Sequence, residues 1–187
     1  AGYDPRSLKT MALGYAVGTR GACHNRSPGY SADIQGRANR FEGGSEHGPA
    51  LVDLEDKAAL FDSLGICKFV RAVFGDFLEE AARFYRVVTG LEMTPEMLEA
   101  SGPRICNLKK AFNIREGWTK ADDWLPGRVL EDPIPSGPAV SKYFGLGHDI
   151  THAGRVQPAL PFGTTPVQPP APPAWAISLW VAEKMRE

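Results

Sequence analysis

The chain has 187 residues, 43% of them hydrophobic, with a formal net charge of −1. This is enough for one compact domain with a sizeable core. It excludes a basic nucleic-acid surface, a polybasic membrane tract and an apolar run of about 20 residues that could span a bilayer, so neither nucleic acid nor membrane is expected as a partner.

Asp4-Pro5 reads as a helix start, with Asp as N-cap and Pro in the first turn. Leu8, Met11, Ala12, Tyr15 and Ala16 then recur at helical spacing, and the helix is expected to stop near Gly18 to Gly21. Cys23 and His24 lie just beyond that end. Residues 25 to 48 are rich in Gly, Ser, Asn and Arg and read as an irregular loop. Pro49 opens a second helix, with Leu51, Leu54, Ala58 and Phe61 on its apolar face, which ends at the Leu64-Gly65 turn. Asp76 caps a third helix that Gly90 terminates. Thr94-Pro95 starts a fourth. Gly102-Pro103 is expected to interrupt it, leaving a fifth from about Arg104 to Phe112. Sustained alternation of period two is nowhere visible. The fold class is therefore all-α, an irregular helical domain with an extended proline-rich C-terminal segment.

After Gly117 the chain is proline-punctuated and reads as a surface strap. Residues 158 to 173 hold seven of the sixteen prolines, which suits polyproline II or a loose linker. Three parts result: a helical domain over 1–140, an irregular Pro-rich segment over 141–174 and a short terminal helix over 175–187. The three cysteines, Cys23, Cys67 and Cys106, are widely spaced and include no C-x-x-C pair, unlike a secreted disulfide framework. With AGYDPRSLKT lacking signal-peptide order, a cytoplasmic location is expected. His47, His148 and His152 have no ligand spacing with the cysteines and read as surface residues.

Two short segments carry chemistry. Asp62-Ser63-Leu64-Gly65-Ile66-Cys67 puts a carboxylate, a glycine turn and a thiol within six residues. Arg20-Gly21-Ala22-Cys23-His24 puts an imidazole after a small-residue turn. Taken alone, the first pattern has a plain alternative: Asp62 as a helix-end residue, Gly65 as a C-cap, Ile66 and Cys67 as core. His24 has one too, as a capping or loop histidine. Arg20 and Arg26 flank the turn and suit either acidic groups or solvent.

In this order, and together with the residues C-terminal to them, the segments resemble the C-terminal region of the tungsten- or molybdenum-dependent aldehyde:ferredoxin oxidoreductases. That family carries a D-x-x-G-L-C signature. The elements TG-x-E-x-T-x-E-x-L, R-I-x-N-L, A-F-N-x-R-E-G and D-D-x-L-P extend the likeness over roughly residues 3 to 138.

The resemblance implies that Cys67 is one of four cysteine ligands to a [4Fe-4S] cluster. It implies that Asp62 and the backbone of Leu64, Gly65 and Ile66 contact one of two pterin dithiolenes holding tungsten or molybdenum. His24 becomes a proton donor or acceptor as an aldehyde is oxidised to a carboxylate, with ferredoxin as electron acceptor; imidazole titrates near neutrality. Ile66 stands where the family often has leucine. Family enzymes are about three times as long. Their β-rich pterin-binding base and C-x-x-C-x-x-x-C ligands have no counterpart here, and the proline-rich tail departs from their ending.

The chain is thus expected to be a fragment of a longer enzyme, a subunit completed by a separate partner, or a remnant, and to hold no cofactor by itself. A non-catalytic helical interaction module and a portion of a benzoyl-CoA-reductase-type catalytic subunit are the alternatives.

Overall fold

The computed structural model describes residues 2–140 and Lys142. Expectations for the Pro-rich segment, the terminal helix, His148 and His152 lie outside the described residues. Among those described, every regular element is helical: α1 (Lys9–Val17), α2 (Tyr30–Ile34), α3 (His47–Ser63), α4 (Phe77–Thr89), α5 (Pro95–Arg115) and α6 (Gly127–Glu131), with 3-10 turns at Lys68–Val73 and Lys120–Asp122. The all-α expectation holds. None of these helices is long and apolar enough to cross a membrane.

The first helix starts later than its cap-plus-proline signal suggests. The Asp4 carboxylate is used locally, accepting from the backbone N–H of Arg6 at 3.0 Å and pairing with its guanidinium at 2.8 Å. Leu8, the actual N-cap, has no oxygen to offer. Asp33 of α2 serves instead: its two carboxylate oxygens accept from the amides of Thr10 and Met11, each at 3.0 Å. Those are orphan donors of the first turn, and a buried carboxylate at a helix N-terminus also meets the positive end of the helix dipole. Short α2 thus interrupts the loop expected over 25–48 and is tied to α1. Gly29, just before it, lies so close to Thr10 that an added Cβ would sit 2.4 Å from the Thr10 carbonyl oxygen.

Two further expectations are corrected. Gly102-Pro103 does not break a helix; α5 runs through it from Pro95 to Arg115. The α3–α5 pairing is the most extensive in the fold, and a Cβ on Gly102 would meet the Asp56 Cβ and carbonyl oxygen at 3.0 Å. The glycine therefore serves close approach, and burial across the crossing offsets the roughly 3 kcal/mol that an interior proline costs. His47 is buried, not on the surface. Its Nδ1 lies 2.7 Å from the Thr10 hydroxyl and its Nε2 2.8 Å from the Glu42 carbonyl. Nε2 donates to that carbonyl, and in the neutral ring Nδ1 accepts from the Thr10 hydroxyl. Both ring nitrogens are satisfied, which is why burial is tolerated.

The other caps follow the sequence. Asp76 Oδ1 accepts from the amides of Leu78 and Glu79, Gly90 closes α4 at φ 72°, and Thr94 Oγ1 accepts from Met97 at 3.2 Å. Leu8, Met11, Ala12, Tyr15 and Ala16 form a core cluster with Leu125 and Leu130; Tyr3 and Tyr30 pack on its edge. The segment after Gly117, expected as a surface strap, is thus corrected: it is partly helical, at Lys120–Asp122 and α6, and its two leucines are buried because they complete the apolar face of α1.

Candidate functional site

The DSLGIC signature is the end of α3. Ile66 N–H donates to the Phe61 carbonyl at 3.0 Å and Gly65 N–H to the Asp62 carbonyl at 3.3 Å, the paired bonds of a Schellman motif. Gly65 takes φ 69° and has open space where a Cβ would stand. This is the C-cap that a plain reading of the glycine gives, but that reading fails for Cys67, which is exposed. The motif turns the chain sharply, leaving Asp62 half-buried behind the turn and Cys67 on the surface beyond it.

Asp62 meets two cations. Arg26 Nε lies 3.2 Å from Oδ2 and Lys68 Nζ 3.3 Å from Oδ1. The Lys68 ammonium also donates to the Asn25 carbonyl. The turn at 23–26 and the signature, separated by some forty residues, are thereby fastened together next to His24. The Arg26 contact is an ion pair without a well-directed hydrogen bond: Oδ2 is buried and has no aligned donor among the described residues. The charge is compensated while an acceptor lone pair stays open. Lys109 of α5 is half-buried near the same group. Burial lowers its ammonium below the ordinary lysine range, with Arg26 and Lys68 adding to the effect and Cys106 and Asp62 opposing it.

His24 is half-buried, and its ring faces aromatic residues. It meets Tyr3 edge-on at 5.5 Å between centroids and Tyr30 at 6.3 Å, while Tyr3 and Tyr30 stack at 4.3 Å. Its neighbour Cys23 is a separate feature. Burial would raise that thiol, but the amides of Arg26 and Asn25 point at it, and with the charges of Arg20 and Lys68 they hold it below its usual range. Cys106 is buried on α5, its thiol 3.6 Å from the Glu55 carbonyl. Among the described residues no cluster of three or more His, Cys, Asp or Glu could hold a metal ion.

The sequence-based candidates thus fall into two groups. Asp62, Leu64, Gly65, Ile66 and Cys67 form one turn, which Arg26 and Lys68 join to the turn carrying His24. The His24 ring itself makes its ring contacts with Tyr3 and Tyr30. Sequence reasoning left Tyr3, Tyr30 and Lys109 unremarked, and no local pattern marks them: they come from the N-terminus, α2 and α5. Arg26, noted beside the turn, and Lys68 prove to be the clamp on Asp62.

The family described as "Aldehyde ferredoxin oxidoreductase, domains 2 & 3" matches residues 1–149. The chain belongs to the aldehyde ferredoxin oxidoreductase family. Curated relatives include the tungsten-containing aldehyde ferredoxin oxidoreductases of Pyrococcus furiosus, Thermococcus kodakarensis and Pyrococcus abyssi. They are 34%, 33% and 31% identical over 140 residues, which is 73% of this chain. The matched part is 23% of each aldehyde ferredoxin oxidoreductase relative, so the chain spans less than a quarter of their length.

Proposed function

We propose that this chain is the C-terminal portion, or a subunit corresponding to it, of a tungstopterin or molybdopterin iron–sulfur oxidoreductase that converts aldehydes to carboxylic acids with ferredoxin as electron acceptor. It contributes one wall of the cofactor site and does not turn over by itself. The observation that carries this reading is the state of Asp62. A carboxylate held in place by Arg26 and Lys68, with a buried oxygen lacking an aligned donor, is suited to accept N–H groups of a pterin ring.

The surrounding residues fit the same group. Open space beside Gly65 allows a ligand to approach the backbone closely. Exposed Cys67 is available as one thiolate of a cluster. Cys106 is buried against α3 and unsuited to a second; the remaining ligands come from the part of the enzyme that this chain does not match. When bound, the metal–bis-pterin centre supplies the two-electron oxidation of the aldehyde and the cluster a route for the electrons. His24 takes up or gives a proton at its imidazole as the aldehyde, with oxygen from water, becomes a carboxylate.

The test is anaerobic purification of the chain alone and with a polypeptide carrying the β-rich base and the other cluster cysteines, followed by elemental analysis. Tungsten or molybdenum and iron are expected in the complex. Cys67→Ser should deplete the iron, and Asp62→Ala should deplete the pterin metal. Full iron in the Cys67→Ser complex, or aldehyde-dependent dye reduction by the chain alone, would overturn the reading.

A further inference from the structure

A proton-handling imidazole must keep one orientation, and among the described residues His24 finds no hydrogen-bond partner to impose it. Its ring makes aromatic contacts instead. Catalytic histidines are ordinarily held through the second ring nitrogen. Here the restraint is packing. The Gly2 backbone lies against the ring so closely that a Cβ there would be 2.9 Å from Nδ1, and the Tyr3–Tyr30 stack closes the other contacts at interplanar angles of 74° and 63° to the imidazole.

We propose that Tyr30 is a positioning residue for His24, acting both directly and through Tyr3. This rests on the reading of His24 as the proton-handling group. Tyr30 is the rigid member of the trio. It is the first residue of α2, which the Asp33 carboxylate fastens to the amides of Thr10 and Met11, and Gly29 before it is pressed against the Thr10 backbone. Tyr3 comes from an irregular segment. Its N–H reaches the Tyr15 hydroxyl at 3.2 Å, and its ring lies parallel to Tyr30 within 12°. Offset or edge-to-face rings favour definite mutual angles, so a fixed Tyr30 fixes Tyr3, and the pair fixes the plane of His24. The order of support runs from α1 through α2 to Tyr30, then Tyr3, then the imidazole. The stack needs the ring of Tyr30 and makes no demand on its hydroxyl.

The test uses the full chain. Imidazole carbon-bound proton signals of His24, assigned with His24→Gln, report the neighbouring rings through their ring currents, and carbethoxylation reports how freely the imidazole is reached. In Tyr30→Leu the signals should move toward free-histidine positions and carbethoxylation should accelerate about threefold or more as local opening becomes easier. Tyr30→Phe should keep wild-type signals and rate. Tyr3→Leu, which alters a residue near the chain start and is checked for native circular dichroism, should reproduce the Tyr30→Leu effect and serves if that variant unfolds. Wild-type signals and rate in Tyr30→Leu or Tyr3→Leu, or a Tyr30→Phe variant that behaves like Tyr30→Leu, would overturn the proposal. In the assembled enzyme, Tyr30→Leu should lower kcat about tenfold, since small misplacements of a reacting group are costly, and Tyr30→Phe should restore it. Were the signals to move as expected while His24→Gln kept full activity, positioning would stand and the catalytic role of His24 would fall.

Discussion

The guanidinium Nε of Arg26 stands 3.2 Å from Oδ2 of Asp62, across 36 positions of sequence, and this ion pair joins the turn bearing His24 to the turn bearing Cys67. With Lys68 on the other carboxylate oxygen, the fold itself holds the two chemical segments as one unit. A site preorganised in this way does not have to order its own walls on binding.

A double-mutant cycle tests that clamp. Arg26→Ala and Asp62→Ala should each lower stability in urea, and the coupling between them should be about 0.5–1 kcal/mol, the range for partly exposed ion pairs. Coupling indistinguishable from zero would mean that the two turns are held by other contacts.

Two glycines separate backbone strain from steric conflict. Gly65→Ala has free space but a φ of 69°, so it should cost about 1 kcal/mol from the left-handed conformation alone. Gly102→Ala has helical geometry but meets Asp56 at 3.0 Å. It should cost about 1–3 kcal/mol by forcing α3 and α5 apart. Urea midpoints read both. An Asn at 65, which tolerates the left-handed region, should recover part of the Gly65 loss; at 102 the larger Asn should be worse than Ala.

Buried Lys9 makes stability depend on alkaline pH. It is 2% exposed. Burial, with repulsion from Lys142 and against attraction from Asp33, lowers its pKa from 10.5 to about 8. The folded chain then binds fewer protons at this site than the unfolded chain does. The contribution is unfavourable and pH-independent below about 8, and it is relieved as pH rises from there to 10.5. Relative to Lys9→Met, the wild type should therefore gain up to about 3 kcal/mol across that window. A flat difference between the two proteins would show that Lys9 is not desolvated in the folded chain.

The three thiols should differ in alkylation by iodoacetamide near neutral pH. Cys23, with its pKa lowered and half-exposed, should react first, exposed Cys67 next, and buried Cys106 only after unfolding. Mass spectrometry of tryptic peptides over a time course reads the order. Rapid labelling of Cys106 in the native chain would place it outside the α3–α5 contact.

The elements with local causes were legible in the amino-acid order: the caps at Asp76 and Thr94, the terminator Gly90, the apolar spacing of Leu8 to Ala16, and the turn at Leu64-Gly65. Each depends on residues within a few positions, where spacing in sequence is spacing in space. The ordered motifs from RGACH to DDWLP also pointed to the family.

Tertiary structure decided what depends on distant partners. Asp33 moved the start of α1 because a carboxylate from another helix reached amides that Leu8 could not cap. Asp56 made Gly102 a point of helix contact, so that α5 continued through Pro103. Thr10 and Glu42 turned His47 from a surface residue into a buried one, since both ring nitrogens found partners there. At the site, sequence named Asp62, Cys67 and His24, but only the fold brought Arg26 to Asp62 and Tyr30 to His24. A hydrogen bond or ring contact acts over a few ångströms, and which residues come that close is set by how the helices pack.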